Sequence, residues 1–191
     1  MTVLEKPQSS ALYQLRWVTR ILAILILFLV VAGMLLPNHY KVERSVQIAM
    51  TSDEVQAYLL RADVWGDWLY VEKGVVTPLA EPVSNGSLLA ANDMLRIVYD
   101  AGGSEGEIHF TLVTDGLIEF SVVPKEGISS VFNRIELVTN TAETTQVNWH
   151  IEGELSAGFI GPYLALVANQ IAGRNFELSL QRLRLALETD L

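Results

Sequence analysis

The sequence predicts an α+β protein: an antiparallel sheet closed by one long C-terminal helix and preceded by a single membrane-spanning helix. Three observations carry this reading. Twenty residues without Asp, Glu, Lys or Arg separate Arg20 from Lys41, and the run Ile21 to Leu36 is apolar throughout. From Met94 to Ile151, apolar residues recur at every second position over successive segments, the period of a half-buried strand. From Pro162 to Glu188 they recur every three or four positions, the period of a helix.

At about 1.5 Å rise per residue, a helix over 21–40 covers the roughly 30 Å hydrocarbon core of a bilayer. Tyr13 and Trp17 before the run, and His39 and Tyr40 after it, stand where amphipathic rings anchor a span at its two interfaces. Lys6, Arg16 and Arg20 precede the run, whereas Lys41 and Arg44 follow it with Glu43 between them. That bias points to a cytoplasmic amino terminus and an extracytoplasmic (periplasmic) domain on the cell's inner membrane. The expected organisation is a tail over 1–20, a transmembrane helix over 21–40 and one domain over 41–191. The competing reading is a cleaved signal peptide, with Val30 and Ala32 as the small residues before a cut at Gly33. The run stays apolar beyond that point and stops at Pro37, which favours a span.

Composition narrows the chemistry. The chain has no cysteine, so disulfides, thiolate catalysis and Cys-based zinc sites are excluded. Of its 13 Lys and Arg and 22 Asp and Glu, three basic and one acidic residue fall in the first 40, which leaves the domain near −11. Such a surface repels phosphate backbones, so no nucleic-acid partner is expected.

Taken in order, Lys41 to Met50 alternates with Val42, Val46 and Ile48 and reads as a strand. Thr51 or Ser52 can cap a helix carrying Asp53 and Glu54 in its first turn and Val55, Tyr58 and Leu59 on one face. Residues 63–68, DVWGDW, bracket a glycine with tryptophans; 74–93, rich in Pro, Gly, Asn and Ser, reads as irregular with one or two short strands. Strands follow at Met94 to Tyr99, Glu107 to Val113, Leu117 to Val123, Val131 to Val138 and Thr145 to Ile151. Thr114-Asp115-Gly116 is a three-residue hairpin link that sets Phe110 opposite Phe120. Alternation places Ile108, Phe110, Leu112, Ile118, Phe120, Val122, Ile135, Leu137, Val147, Trp149 and Ile151 inward, with Glu107, His109, Thr111, Glu119, Gln146, Asn148 and His150 outward. In the last helix, Leu164, Val167 and Ile171 form one stripe and Phe176, Leu180, Leu183 and Leu187 another. The step of five between them predicts a bend, or a close approach to the sheet, at Gly173.

The opening YKVERSVQIAMTSDEVQAYLLRADVWGDW and the closing QVNWHIEGEL with GPYLALVANQIAGRNFELSLQRLRLALE resemble the SRPBCC or START-like superfamily, in its polyketide cyclase/dehydrase-like branch. The resemblance covers 39–190 and includes Gly173, Phe176, Glu177, Leu180, Leu183 and Glu188; Ser179 stands where the family usually has glycine. It implies a helix-grip (START/Bet v 1-like) fold, in which a curved antiparallel sheet wraps the C-terminal helix and leaves an apolar cavity between them. An apolar segment ending in Pro before the first strand recurs among anchored bacterial members.

Candidate sites are few. His39, His109 and His150 lack ligand spacing, and no metal or cofactor is expected. His109 falls opposite Ser121 on the solvent face, where cross-strand pairing accounts for both. Glu105/Glu107 and Glu152/Glu154 repeat one solvated face at i,i+2 and need no catalytic role. Trp65, Trp68, Tyr99, Phe110, Phe120, Trp149 and Tyr163, with Val167 and Ile171, are the candidate pocket lining, although most aromatic residues in such positions simply fill a core. Asn133, and Arg96 near the irregular segment, are candidate polar handles, each with an ordinary surface or hydrogen-bonded role as the alternative.

The expected partners are the bilayer, through 21–40, and a hydrophobic small molecule or lipid held by a binding module. A cyclase- or dehydratase-like enzyme and a ligand-free assembly protein are the alternatives. The inward set holds neither carboxylate nor histidine, which weighs against the enzyme.

Overall fold

The computed structural model describes residues 9–79, 88–100, 104–125, 127–155 and 157–189, without the side chains of 9–12, 166 and 168–172. Its elements run α1 (Ser9–Leu35), β1 (His39–Ile48), α2 (Ser52–Leu59), a 3-10 turn (Ala62–Val64), α3 (Trp65–Trp68), β2 (Gly74–Pro78) and β3 (Met94–Tyr99). Then follow β4 (Glu105–Thr114), β5 (Leu117–Val123), β6 (Val131–Thr141), β7 (Thr144–Glu154), a second 3-10 turn (Gly158–Ile160) and α4 (Gly161–Thr189). The seven strands form one curved antiparallel sheet in the order β1-β7-β6-β5-β4-β3-β2, and α4 packs along β1 and α3. This is the helix-grip arrangement.

Local chemistry sets several boundaries. Thr51 accepts the Glu54 amide while the Glu54 carboxylate takes the Thr51 N–H, a reciprocal capping box that starts α2. That hydrogen bond also holds the Glu54 carboxyl below its ordinary value. Gly116, at φ 71°, takes the left-handed position of the β4–β5 turn, and the register places Phe110 opposite Phe120 and His109 opposite Ser121 as expected.

One inward assignment fails. Leu112 is exposed, because a β-bulge between Phe110 and Leu112 inserts a residue and reverses the alternation beyond it. Val113 packs against the core instead.

Helix α1 contains the one segment, Tyr13–Leu35, that among the described residues is long and apolar enough to cross a membrane, and almost none of it is buried. It begins earlier than the apolar run and ends at Leu35, not at Tyr40. Pro37 removes a donor and disfavours helix in the residue before it. His39 and Tyr40, read from sequence as interface anchors, belong to β1 and pair with Glu154 and Gly153. Residues 1–8 of the expected tail lie outside the described residues.

The core joins the inner face of the sheet to α2, α3 and the C-terminal half of α4. Trp65 and Trp68 are fully buried, and Leu180, Leu183 and Leu187 complete the packing from α4. Gly66 lets α3 lie on β2, since a Cβ there would meet the Val76 carbonyl at 2.8 Å. Of the two alternatives at Gly173, close approach is observed: α4 is continuous, Gly173 is buried, and the Arg44 guanidinium from β1 crosses it. Arg44 Nε then reaches Glu177 Oε1 at 2.8 Å.

Candidate functional site

The C-terminal half of α4 offers leucines to the sheet, whereas nearer its N-terminus it presents Asn175 and Phe176. The core is therefore less completely filled toward that end, and a cavity of about 280 Å³ remains between sheet and helix. Tyr99 closes β3, Val122 lies near the end of β5, Val131 and Asn133 near the start of β6, and Tyr40 near the start of β1; all line it, with Phe120, Trp149 and Phe176 as its aromatic walls. Tyr70, Val71 and the exposed Glu72, from the segment after α3, form the rim.

Register places these residues at one end of the sheet. Tyr40 pairs with Gly153 and Val131 with Val122, while the opposite end carries the β4–β5 and β6–β7 turns and α2. The cavity thus lies at the end to which α1 delivers the chain.

The walls are apolar with a few polar groups. Asn133, 2% exposed, accepts from Trp149 Nε1 at 3.1 Å through Oδ1 and donates from Nδ2 to the Val131 carbonyl at 2.9 Å. An amide has four hydrogen-bonding sites in all, so one donor and one acceptor site remain after these bonds. Burial pushes the Tyr40 and Tyr99 phenols above their usual range, so both are neutral donors at ordinary pH. Together these groups suit an uncharged ligand with a carbonyl or hydroxyl.

Of the residues singled out in the sequence, the structure brings Tyr99, Phe120, Asn133 and Trp149 together around the cavity. Trp65, Trp68 and Phe110 lie in the core instead: Trp65 packs on Trp68, Phe110 and Phe120 at ring separations of 4.8, 5.0 and 5.2 Å. Trp65 Nε1 donates to the Leu59 carbonyl at 2.8 Å, while Trp68 Nε1 is the one buried side-chain polar atom without a partner among the described residues. Tyr163 and Val167 are elsewhere, since Tyr163 donates to the Leu29 carbonyl of α1 and Val167 is exposed. The Ile171 side chain lies outside the described residues. Arg96 is a surface residue facing Glu105 at 3.5 Å.

Sequence reasoning missed Tyr40, Phe176 and the 69–72 rim as lining. It also undervalued Ser179, whose hydroxyl accepts the Tyr70 N–H at 2.9 Å and donates to the Asn175 carbonyl at 3.0 Å. The serine ties the rim to α4. Ser179→Ala leaves a part-buried N–H unpaired, and we expect a loss of about 1–2 kcal/mol in urea denaturation. A loss below a few tenths would remove Ser179 from the account.

Outside the cavity, His109 sits on Glu107 at 2.7 Å, and His150 faces Glu43 and Glu136 at 3.3 and 3.8 Å on the outer sheet face. No cluster suited to a metal ion occurs among the described residues.

Solved structures match about four-fifths of the chain. The aromatase/cyclase Zhui from Streptomyces sp. R1128 superposes with a TM-score of 0.58 at 19% identity, covering 78% of this chain and 94% of that one. A START superfamily protein from Mycobacterium smegmatis gives 0.58 at 14% identity, covering 80% and 99%. Protein SA2116 of unknown function from Staphylococcus aureus gives 0.61 at 13%, covering 80% and 95%. No protein-family model and no curated protein sequence matches. The likeness establishes the fold: a START-like helix grip of the kind found in polyketide aromatase/cyclases.

Proposed function

We propose that the chain is a single-pass membrane protein, amino terminus in the cytoplasm and domain outside it, which binds an uncharged apolar small molecule between sheet and α4. The observation that carries this is the cavity itself, walled by Phe120, Trp149 and Phe176, with Tyr40, Tyr99 and Asn133 as neutral polar handles. At about 280 Å³ it is just below the span of ligand pockets, about 300–1,000 Å³. The size fits one compact ring system or a single short acyl chain better than a two-chain lipid. The cyclase-like alternative has a structural neighbour with that activity in its name. Against it, the described lining holds no histidine, and its one carboxylate, Glu72, is exposed at the rim.

Ligand binding to the native state alone raises stability by about 2.7 kcal/mol at a hundredfold excess over Kd. For a domain of this size that corresponds to a melting shift of roughly 5–10 °C. Screening the full chain against compact uncharged apolar compounds with a hydrogen-bonding group should find members that give such a shift. Anionic analogues should not. A cooperative melt unmoved by every apolar class would overturn the proposal.

A further inference from the structure

A second uncharged stretch follows the last strand. No Asp, Glu, Lys, Arg or His occurs between Glu154 and Arg174, the segment that holds the second 3-10 turn and the first half of α4. Phe159, Ile160, Leu164 and Val167 are 51, 47, 41 and 40% exposed there, unlike the core-facing Leu180, Leu183 and Leu187 of the other half.

This surface lies against α1. A Cβ on Gly33 would overlap the Phe159 carbonyl and touch the Tyr163 ring, and Tyr163 donates to the Leu29 carbonyl at 2.6 Å. Leu29 is six residues inside the end of α1, so the contact lies about 9 Å short of the helix terminus. Only Leu36, Pro37 and Asn38 join α1 to β1, four steps from Leu35 to His39 and a reach of at most about 14 Å, and Leu155 N–H pins Asn38 through its carbonyl at 3.0 Å. A domain held this closely cannot stand clear of a bilayer that α1 crosses.

We propose that Phe159, Ile160, Leu164 and Val167 enter the bilayer beside α1, on the side where the domain lies, as a second and half-embedded contact. The inference rests on the membrane-anchor reading above. Its occupant is the lipid of the leaflet that α1 leaves, chosen because the surface is continuous with the membrane helix and carries no charge. Interfacial segments bury an apolar face about 5–10 Å into the headgroup and acyl boundary, which matches the depth of the Tyr163 contact. The cavity lies at this same end of the sheet, which shortens the path of an apolar ligand between it and the membrane.

The chain has no cysteine, so single cysteines can be labelled without background. The full chain, reconstituted in phosphatidylcholine vesicles containing doxyl lipids, is labelled with an environment-sensitive fluorophore. Phe159→Cys and Leu164→Cys report on the surface, Leu25→Cys on the span, and Asp115→Cys on the far hairpin, using variants that melt like the parent. Shallow doxyl groups should quench positions 159 and 164 at least threefold more than position 115, and deep groups should quench position 25. Quenching at 25 with 159 and 164 no more affected than 115, whether through solvent exposure or burial against a second copy, overturns the wedge and leaves the anchor standing. An unquenched position 25 overturns the anchor reading and the wedge with it.

Discussion

Trp65→Ala is expected to cost about 3–5 kcal/mol, the range for truncating a fully buried large aromatic. Trp65 has no exposed surface and meets Phe110 and Phe120 edge-on at 89° each, so its removal opens a void bounded by three other rings. The Leu59 carbonyl loses its indole donor at the same time. Domains commonly hold about 5–15 kcal/mol in all, so this one change removes a large part of the stability. Thermal unfolding of the full chain should fall by roughly 10 °C or more. A drop of only two or three degrees would mean that α3 does not pack as the structure shows. Because Trp65 is core and not cavity wall, the surviving folded fraction should still bind ligand.

The opposite result is expected for Val131→Trp. Val131 is half-buried at the start of β6 and lines the cavity, so a larger side chain grows into space that is already open. Overfilling a tight core costs about 1–3 kcal/mol; here added apolar contact offsets that cost, and melting should stay within a few degrees of the parent. Affinity for any compound that stabilises the parent should fall at least tenfold. Val138→Trp, on the same strand but exposed and away from the cavity, is the control and should bind normally. If Val131→Trp bound as tightly as the parent in calorimetric titration, the ligand site would lie somewhere else.

What was legible in the sequence follows from which interactions are local. Alternation located β3 and β5 to the residue and β4, β6 and β7 to within about three, because one buried face imposes period two regardless of tertiary detail. The step of five marked Gly173 but left a bend and a close approach both open; the close approach, by Arg44, is the one observed. The bulge after Phe110 left no mark, so Leu112 was assigned to the wrong face.

The cavity was less legible than the fold, and for a physical reason. Its walls come from the ends of several strands and from one face of α4, and only the register brings Tyr40, Tyr99 and Asn133 to the same end. Trp65 and Trp149 are both aromatic, both inward and both buried. What separates core from wall is that Trp65, carried on α3, is enclosed by Trp68, Phe110 and Phe120, whereas Trp149 borders the cavity. Tyr40 was masked by its position just after an apolar run, and Tyr163 by a partner on α1 that no spacing reveals.

Native mass spectrometry of the full chain, purified from its own cells in mild detergent, reads out whether the apolar cavity holds a ligand. A discrete added mass of small-molecule size is expected on the parent protein, lost on denaturation and absent from Val131→Trp. Parent protein of bare mass, forming no adduct after incubation with apolar compounds spanning that size range, would contradict it.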